Sequence, residues 1–537
     1  MPLLFLVVVL VAPVLRLLAE GLGVAGDPWL TGEAPGWWSP WQDPYLRWRL
    51  VWSLLQAAIT SGLALLLGLP LAWVLARLDF RGRGLTLRLL MLPFVVPTLV
   101  AALGVLALWG PRGWLGAPLL QAGVDLSGTP WLLLYGNLFF NLCLVVRAGV
   151  EALEQVSAAQ VAAARSLGAS AWRAFWRVEW PAVLPWMASA LCLVFLYCFA
   201  GFGLALVLGG QRYATVEVEL YTLVAHELAL GQASVLALWS LGLTAMVALA
   251  YAALQRRLAA PSRPQPMPRR RPAGGRQWVA VCLCLGVLLM VCIAPLLAIV
   301  ARAAWAVTEG AWRALADPDV ALALGNTLKF TGLALTLSTA LGLAHALGVH
   351  AIDRAAARRG RAGQGAQGLL WRAAAYLPFI VSPVTVAFGL LLLYPGWTAS
   401  LGLLVAAYAL LAYPFVAQAL AAALDRLPAS YAQAAATLGA SPARVMWRVV
   451  LPLLAPALRR GMAFAAATAL GEFAVTLFLS RPEWTTLTTL IYQHLGRPGA
   501  ANMDAAMVLA CLLMAMALLV FLLIEGPDRR TTDPGHA

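Results

Sequence analysis

The chain has 537 residues, of which 62% are hydrophobic and 11% charged, with a mean hydropathy of +0.82 and a formal net charge of +14. Soluble globular domains are roughly 45–50% apolar and about 25% charged, so this composition excludes an ordinary soluble enzyme and indicates a polytopic membrane protein. Helices are expected rather than a β-barrel, because barrel strands alternate apolar and polar residues over about 10 positions and that alternation is missing.

In chain order, apolar runs of at least about 18 residues recur from end to end, each long enough to cross a bilayer as a helix. Set against charged and Pro/Gly-rich breaks, they predict about twelve spans, near 3–20, 50–76, 89–110, 129–149, 186–209, 233–254, 278–303, 325–350, 373–395, 399–421, 456–479 and 503–525. The first run, Leu3 to Leu18, has no basic region ahead of it and no small-residue cleavage site after it, and reads as an uncleaved first span. The seven cysteines all lie in apolar runs and fit buried small hydrophobes, not a disulfide framework or a metal site. His345 and His350 are five apart, do not share a helix face and make a poor metal pair.

Basic residues orient the spans. With both termini on the cytoplasmic side, the inner stretches hold 27 of the 37 basic residues, among them Arg77, Arg81, Arg83 and Arg88 after the second predicted span and Arg354, Arg358, Arg359, Arg361 and Arg372 after the eighth. The outer stretches are acidic or tryptophan-rich, as in "DPWLTGEAPGWWSPWQDPYLRWR". This asymmetry accounts for the positive charge without a nucleic-acid partner. Trp29, Trp37, Trp38, Trp41 and Trp48 of that outer segment suit interface anchoring, with a docking surface for a solute-binding protein as the second reading.

The Pro/Arg-rich stretch 258–277, "LAAPSRPQPMPRRRPAGGRQ", cannot continue a helix and reads as a flexible cytoplasmic linker. It divides the chain into a first half, 1–257, and a second, 278–526, with a tail at 527–537. The halves are related. Residues 152–185, "ALEQVSAAQVAAARSLGASAWRAFWRVEWPAVLP", align without gaps to 423–456, "ALDRLPASYAQAAATLGASPARVMWRVVLPLLAP", at a shift of 271, and "LPFVVP" at 92–97 is echoed by "LPFIVSP" at 377–383. Two homologous six-helix halves are therefore expected, with a pathway between them.

Each copy of the repeated segment joins the fourth and fifth spans of its half on the inner side. Alanine favours a helix, Gly168 and Gly439 allow a left-handed turn, and Pro181 and Pro452 are expected to stop or redirect the chain before the next span. The expected product is a helix, a turn and a second helix whose alanines admit a close partner surface and whose Arg173 and Arg444 can pair with acids on it. An amphipathic loop lying on headgroups is the plainer reading; recurrence at equivalent positions favours docking.

The spacing resembles E-A-A-x3-G-x9-I-x-L-P, which marks the coupling loop of permease subunits in ATP-binding-cassette importers. The first copy carries Ala162, Ala163, Ala164, Gly168, Val178 and Pro181, the second Gln433, Ala434, Ala435, Gly439, Val449, Leu451 and Pro452. Both depart from the pattern at the leading acid, replaced by Ala162 and Gln433. The fused double permease is similar to the ferric-iron and thiamine importer branch, and "LWGPRGWLG", "NLFFNLCLVVR", "VEWP", "VLGGQRYATVEVELY" and "GEFAVTLFL" resemble the thiamine and thiamine pyrophosphate permeases in particular. A further departure is Cys143, where the family often has proline; Pro414, its second-half counterpart, keeps it. The resemblance implies a type I importer permease of a bacterial inner (plasma) membrane. It also implies docking of each loop on one of two copies of a separate ATPase, which binds ATP and Mg²⁺, and supply by a periplasmic or extracellular solute-binding protein. No cofactor is implied on this chain. Consistently, the only lysine, Lys329, follows Leu328, so no Gly-Lys-Ser/Thr phosphate loop exists here.

For the pathway, Glu472 reads as the one acid within a span, either a contact for a cationic substrate or a carboxylate bonded to a local helix break. Asn137 and Asn141, at i and i+4, suit interhelical hydrogen bonding more than substrate contact. Tyr221 and Tyr492 occupy equivalent positions in the two halves near the outer face. A ferric-iron permease is the alternative of the same class. A secondary transporter driven by an ion gradient is the alternative of another class and calls for several buried acids.

Overall fold

The computed structural model describes residues 1–23, 36–258, 268–358, 366–398, 400–479 and 481–525; Trp29, residues 259–267 of the Pro/Arg-rich linker and the tail 527–537 lie outside the described residues. The principal helices of the first half are α1 (Pro2–Gly21), α2 (Pro44–Arg77), α3 (Arg83–Val95), α4 (Thr98–Trp109), α5 (Trp131–Glu154), α6 (Ala158–Ser166), α7 (Ala171–Phe199), α8 (Gly203–Leu208), α9 (Val216–Ala225) and α10 (Leu230–Leu258). Those of the second are α11 (Gly275–Thr308), α12 (Pro318–Arg358), α13 (Ala366–Ala374), α14 (Pro383–Leu393), α15 (Leu401–Arg426), α16 (Ala429–Thr437), α17 (Pro442–Leu470), α18 (Ala474–Leu479), α19 (Leu487–Gly496) and α20 (Ala500–Glu525). Among the described residues the one β-type contact is an isolated bridge between Leu78 and Arg270.

Among the described residues ten helices are long and apolar enough to cross a membrane, and α3 with α4 forms one further candidate bent by 109°. The third predicted span of each half is thus not a straight rod. Pro93 and Pro97 punctuate the first, and the equivalent region of the second is cut by Pro378 and Pro383 into α13, a turn at Leu377–Ile380 and the 11-residue α14. Proline removes a helical N–H and restricts the residue before it, so two prolines this close break the rod twice. The fifth spans also differ from expectation. They begin inside the repeated segment, end at Phe199 and Leu470, and give way to the short helices α8 and α18 after breaks at 200–202 and 471–473.

Pro181 and Pro452 do not stop the chain, as the sequence suggested; α7 and α17 run through them. Each follows a π-helical turn, Phe175–Glu179 and Met446–Val450. The same device occurs in the first helix of each half: Val7–Val11 precedes Pro13, and Leu289–Ile293 precedes Pro295. Widening the turn carries the carbonyl that would meet the proline ring out of its way. The ring still lacks an N–H, so one carbonyl five residues back has no helical partner. In the first helix of each half a tyrosine supplies it: the Tyr135 hydroxyl donates to Met290 O, and that of Tyr394 donates to Val8 O at 3.1 Å.

Two compact units result. One comprises 20–94 and 98–309, the other 1–19, 95–97 and 310–537. The first helix of each sequence half therefore packs in the unit built mainly from the other half. In the first unit α5 is the most enclosed of the long helices, burying Phe139, Leu142, Val145 and Val146 against α2 and α7. Gly104 of α4 lies so near α11 that an added Cβ would fall 2.8 Å from Pro295 O. In the second unit α15 occupies the corresponding place, with Tyr413 and Leu420 fully buried, and continues unbroken through Pro414. There Gly389 of α14 meets Pro13 of α1 in the same way, a Cβ falling 2.9 Å from the proline ring.

The tyrosine bonds are testable separately from packing. Tyr135→Phe and Tyr394→Phe keep the ring and orphan one carbonyl each, and each is expected to lower stability by about 1 kcal/mol. Thermal melting of the purified protein in detergent measures this; an unchanged midpoint in both variants would show that the hydroxyls do not carry these carbonyls.

Candidate functional site: twin exposed loops

Ser157 and Pro428 open the short helices α6 and α16, both rich in alanine. Each ends in the same hydrogen-bond pattern. Gly168 N donates to Arg165 O (3.0 Å) and Ala169 N to Ala164 O (3.1 Å); Gly439 N donates to Ala436 O (3.0 Å) and Ala440 N to Ala435 O (3.1 Å). These paired bonds define a Schellman motif, whose C′ residue must be left-handed. Gly168 has φ +83° and Gly439 φ +80°. Two residues later Ser170 accepts from Arg173 N at 3.2 Å and Ser441 from Arg444 N at 3.4 Å, capping α7 and α17.

The outer faces are open. Ala162, Ala163, Arg173, Gln433, Ala434, Arg444, Pro181 and Pro452 are exposed, while Ala164 and Ala435 are half-buried on the underside. Leu167 and Leu438 stand at the tips at 89% and 88% exposure, and Trp172, Trp176 and Trp447 are exposed nearby. Beneath, Ala174, Val445 and Val450 are buried and anchor the segments to their helices. Both halves thus present an exposed apolar tip at equivalent positions, with the exposed Arg173 and Arg444 six residues further along the chain. Gly168→Val or Gly439→Val forces a branched side chain into the left-handed region and is expected to destabilise its own loop by about 1–2 kcal/mol. Limited trypsin digestion reads this as faster cleavage after Arg165 or Arg444, with the global melting midpoint unchanged.

The remaining candidates fall into separate groups. Asn137 and Asn141 are buried on α5 within one network: Asn137 Nδ2 donates to Gln56 Oε1 (2.8 Å), Gln56 Nε2 to Cys198 O (2.8 Å), and Asn141 Nδ2 to Asn137 O (2.8 Å). They tie α5 to α2 and α7. Glu472 is buried in the break after α17, where its Oε1 accepts from Val475 N at 2.9 Å and so caps α18. Its own carbonyl accepts from Thr488 Oγ1 at 2.9 Å. Tyr221 and Tyr492 are half-buried on α9 and α19 and pack on Phe202 and Phe473, with ring centroids 5.8 and 5.3 Å apart. Each pair joins a helix break to the helix beyond it, at equivalent positions in the two halves.

Glu472 is not the sole enclosed acid. Glu20 lies buried in α1, and Glu217 and Glu219 are buried on α9. Glu219 Oε2 accepts from Arg49 Nε (3.1 Å) and Tyr45 OH (2.9 Å), and Glu217 Oε1 accepts from Ser240 Oγ (2.9 Å). The stretch "VEVELY" offered these acids, but α9 is a short helix between spans and hydropathy placed it outside. Trp37, Trp38 and Trp41, before α2, surround Trp239 of α10 at 5.2–5.5 Å between centroids. His345 is buried between Trp371 O (2.8 Å) and the Tyr413 hydroxyl. Among the described residues no three His, Cys, Asp or Glu side chains are grouped to hold a metal ion.

The family profile described as "Binding-protein-dependent transport system inner membrane component" matches residues 64–260 and 354–532, once in each half. The thiamine transport system permease protein ThiP of Escherichia coli (strain K12) is 28% identical over 511 residues, covering 93% of this chain and 92% of that protein. ThiP of Brucella abortus (strain 2308) is 27% identical, covering 89% and 88%. The sulfate transport system permease protein CysW of a Synechocystis strain is 30% identical over 240 residues, 44% of this chain and 84% of its own length, the size of one half.

Proposed function

This chain belongs to the family of binding-protein-dependent transport system inner membrane components, and from that premise we propose that it is the fused permease of an ATP-driven importer for thiamine or thiamine pyrophosphate. The observation that carries the ATP-driven reading is the duplicated loop: two Schellman turns with exposed leucine tips, at the same place in both halves. Two copies of a separate ATPase, holding ATP and Mg²⁺, dock there, and a solute-binding protein delivers substrate on the other face. Both termini are cytoplasmic, as the arginine distribution supports. ATP binding draws the two loops together and rocks the halves between outward and inward access.

The thiamine reading is supported by relatives that span most of the chain. Thiamine is an aromatic cation, and the pairs Phe202–Tyr221 and Phe473–Tyr492 offer π faces to such a ligand. Glu472 acts as the cap of α18, and Asn137 with Asn141 as the bond between helices.

Membrane vesicles holding the chain, its ATPase and its binding protein are expected to take up thiamine only when loaded with ATP. Uptake on a proton or sodium gradient alone would overturn the proposal. Arg173→Glu and Arg444→Glu remove one cation each from the docking face and add an anion; co-purification of the ATPase is expected to weaken by about tenfold for each. The role of Glu472 is separable by substitution. Glu472→Gln keeps an oxygen for Val475 N and is expected to retain uptake, whereas Glu472→Ala removes the cap and lowers stability by about 1 kcal/mol. Loss of uptake in the glutamine variant at unchanged melting would instead make the charge a substrate contact.

A further inference from the structure

The described end of the Pro/Arg-rich linker is held against the first half. Leu78, just past α2, forms a parallel bridge with Arg270: Asp79 N donates to Arg270 O at 2.9 Å, and Arg270 N to Arg77 O at 3.0 Å. Beside it, Arg269 Nη2 lies 2.9 Å from Glu154 Oε1, and Arg83 Nη2 reaches the same oxygen at 3.1 Å. Glu154 ends α5 and stands three residues before Ser157, where the first exposed loop begins. The far end of that loop is tied to the same stretch, since Arg77 Nη2 pairs with Glu179 Oε2 in the π turn of α7 at 2.7 Å. Residues 77–83 thus grip the loop at both ends, and the linker is laid on them.

Among the described residues the second loop lacks this arrangement. Asp425, the counterpart of Glu154, is bound by both terminal nitrogens of Arg372 at 2.7 and 2.9 Å, and Arg372 also pairs with Asp353 at 2.7 Å. The counterpart of Glu179 is the apolar Val450. One arginine between two acids closes this root from within its own half. In the first half one acid sits between two arginines, of which Arg83 is enclosed and Arg269 is 45% exposed. The exposed arginine can leave while the enclosed one still satisfies the acid, so its contact is releasable.

We propose that the linker end is a strap that sets the root of the first loop through Glu154, making Arg269 a positioning residue for coupling; this rests on the docking role proposed for that loop. Movement of α11, which continues from the strap, then reaches the first loop and not the second.

The test uses the full chain with its ATPase and binding protein in liposomes, and Arg269→Gln, Arg269→Lys and Arg372→Gln variants. In Arg269→Gln, amide exchange across 155–170 is expected to quicken about fivefold while 426–441 is unchanged, and Arg372→Gln reverses the pattern. ATP hydrolysed per thiamine taken up is expected to rise about twofold in Arg269→Gln and to return in Arg269→Lys, which keeps the charge. Wild-type exchange at 155–170 in Arg269→Gln, or equal quickening of both loops, overturns the strap. Failure of the docking role is seen separately, as no protection of 155–170 in the wild-type chain when the ATPase binds; exchange in the chain alone then still decides the strap.

Discussion

Inside a bilayer no water completes the hydrogen bonds of an interrupted helix, so each freed backbone group needs a partner from the protein. That requirement decides where this chain places its polar side chains. The helices break at Pro97 and Pro383 and at 200–202 and 471–473, after α7 and α17, and side chains stand at several breaks. Val216 N, opening α9, donates to Ser53 Oγ of α2 at 2.8 Å; Leu487 N, opening α19, donates to Thr327 Oγ1 of α12 at 2.9 Å. Glu472 and the two tyrosine hydroxyls do the same elsewhere. Several of the buried polar residues in so apolar a chain close backbone ends in this way.

Duplication makes this argument stronger, because equivalent backbone groups are satisfied by different side chains. Val8 O and Met290 O follow from the same π turn and proline, yet Tyr394 and Tyr135 come from different elements to reach them. What has been retained is the demand of the backbone, with the donor free to vary. The halves differ in how the segment before α9 or α19 is held, and there the first half uses charge. Arg49, Tyr45 and Glu219 clamp α9 to α2. In the second half the loop before α19 is held by a neutral amide, Asn326 Nδ2 donating to Glu483 O and Thr485 O.

The rough positions of most spans were legible because apolar length is a strong signal, although about twelve were expected and the described residues show ten and one bent candidate; the loops were legible because a 271-residue repeat preserves their alanines, glycine and serine cap. The breaks were not. Hydropathy sees Phe199 and Leu204 as one apolar run and cannot register the turn between them. It likewise passed over Pro181 and Pro452, whose usual effect is to end a helix, since a π turn is set by local crowding and leaves no compositional mark. Glu217 and Glu219 were hidden for the opposite reason: charge in a short helix reads as a loop until tertiary contacts with Arg49 and Ser240 are seen. The exchange of first helices between units is carried by Gly104 and Gly389, residues whose meaning lies in what they touch.

These features combine in the fifth spans. The π turns let α7 and α17 run without interruption for 29 residues from the exposed loop to the enclosed break. At 1.5 Å per residue each is a rod of about 43 Å, capped at one end by Ser170 or Ser441 and ending at the other at Phe199 or Leu470. A stop at Pro181 or Pro452 would have left a hinge beside the loop, and a push there would have been absorbed by it. Carrying the helix through the proline moves the first compliant point to the far end, at 200–202 and 471–473. There the aromatic pairs Phe202–Tyr221 and Phe473–Tyr492 join it to the next element. In a component of a binding-protein-dependent transport system, that leaves the bend of each fifth span at the enclosed end, away from the exposed loop.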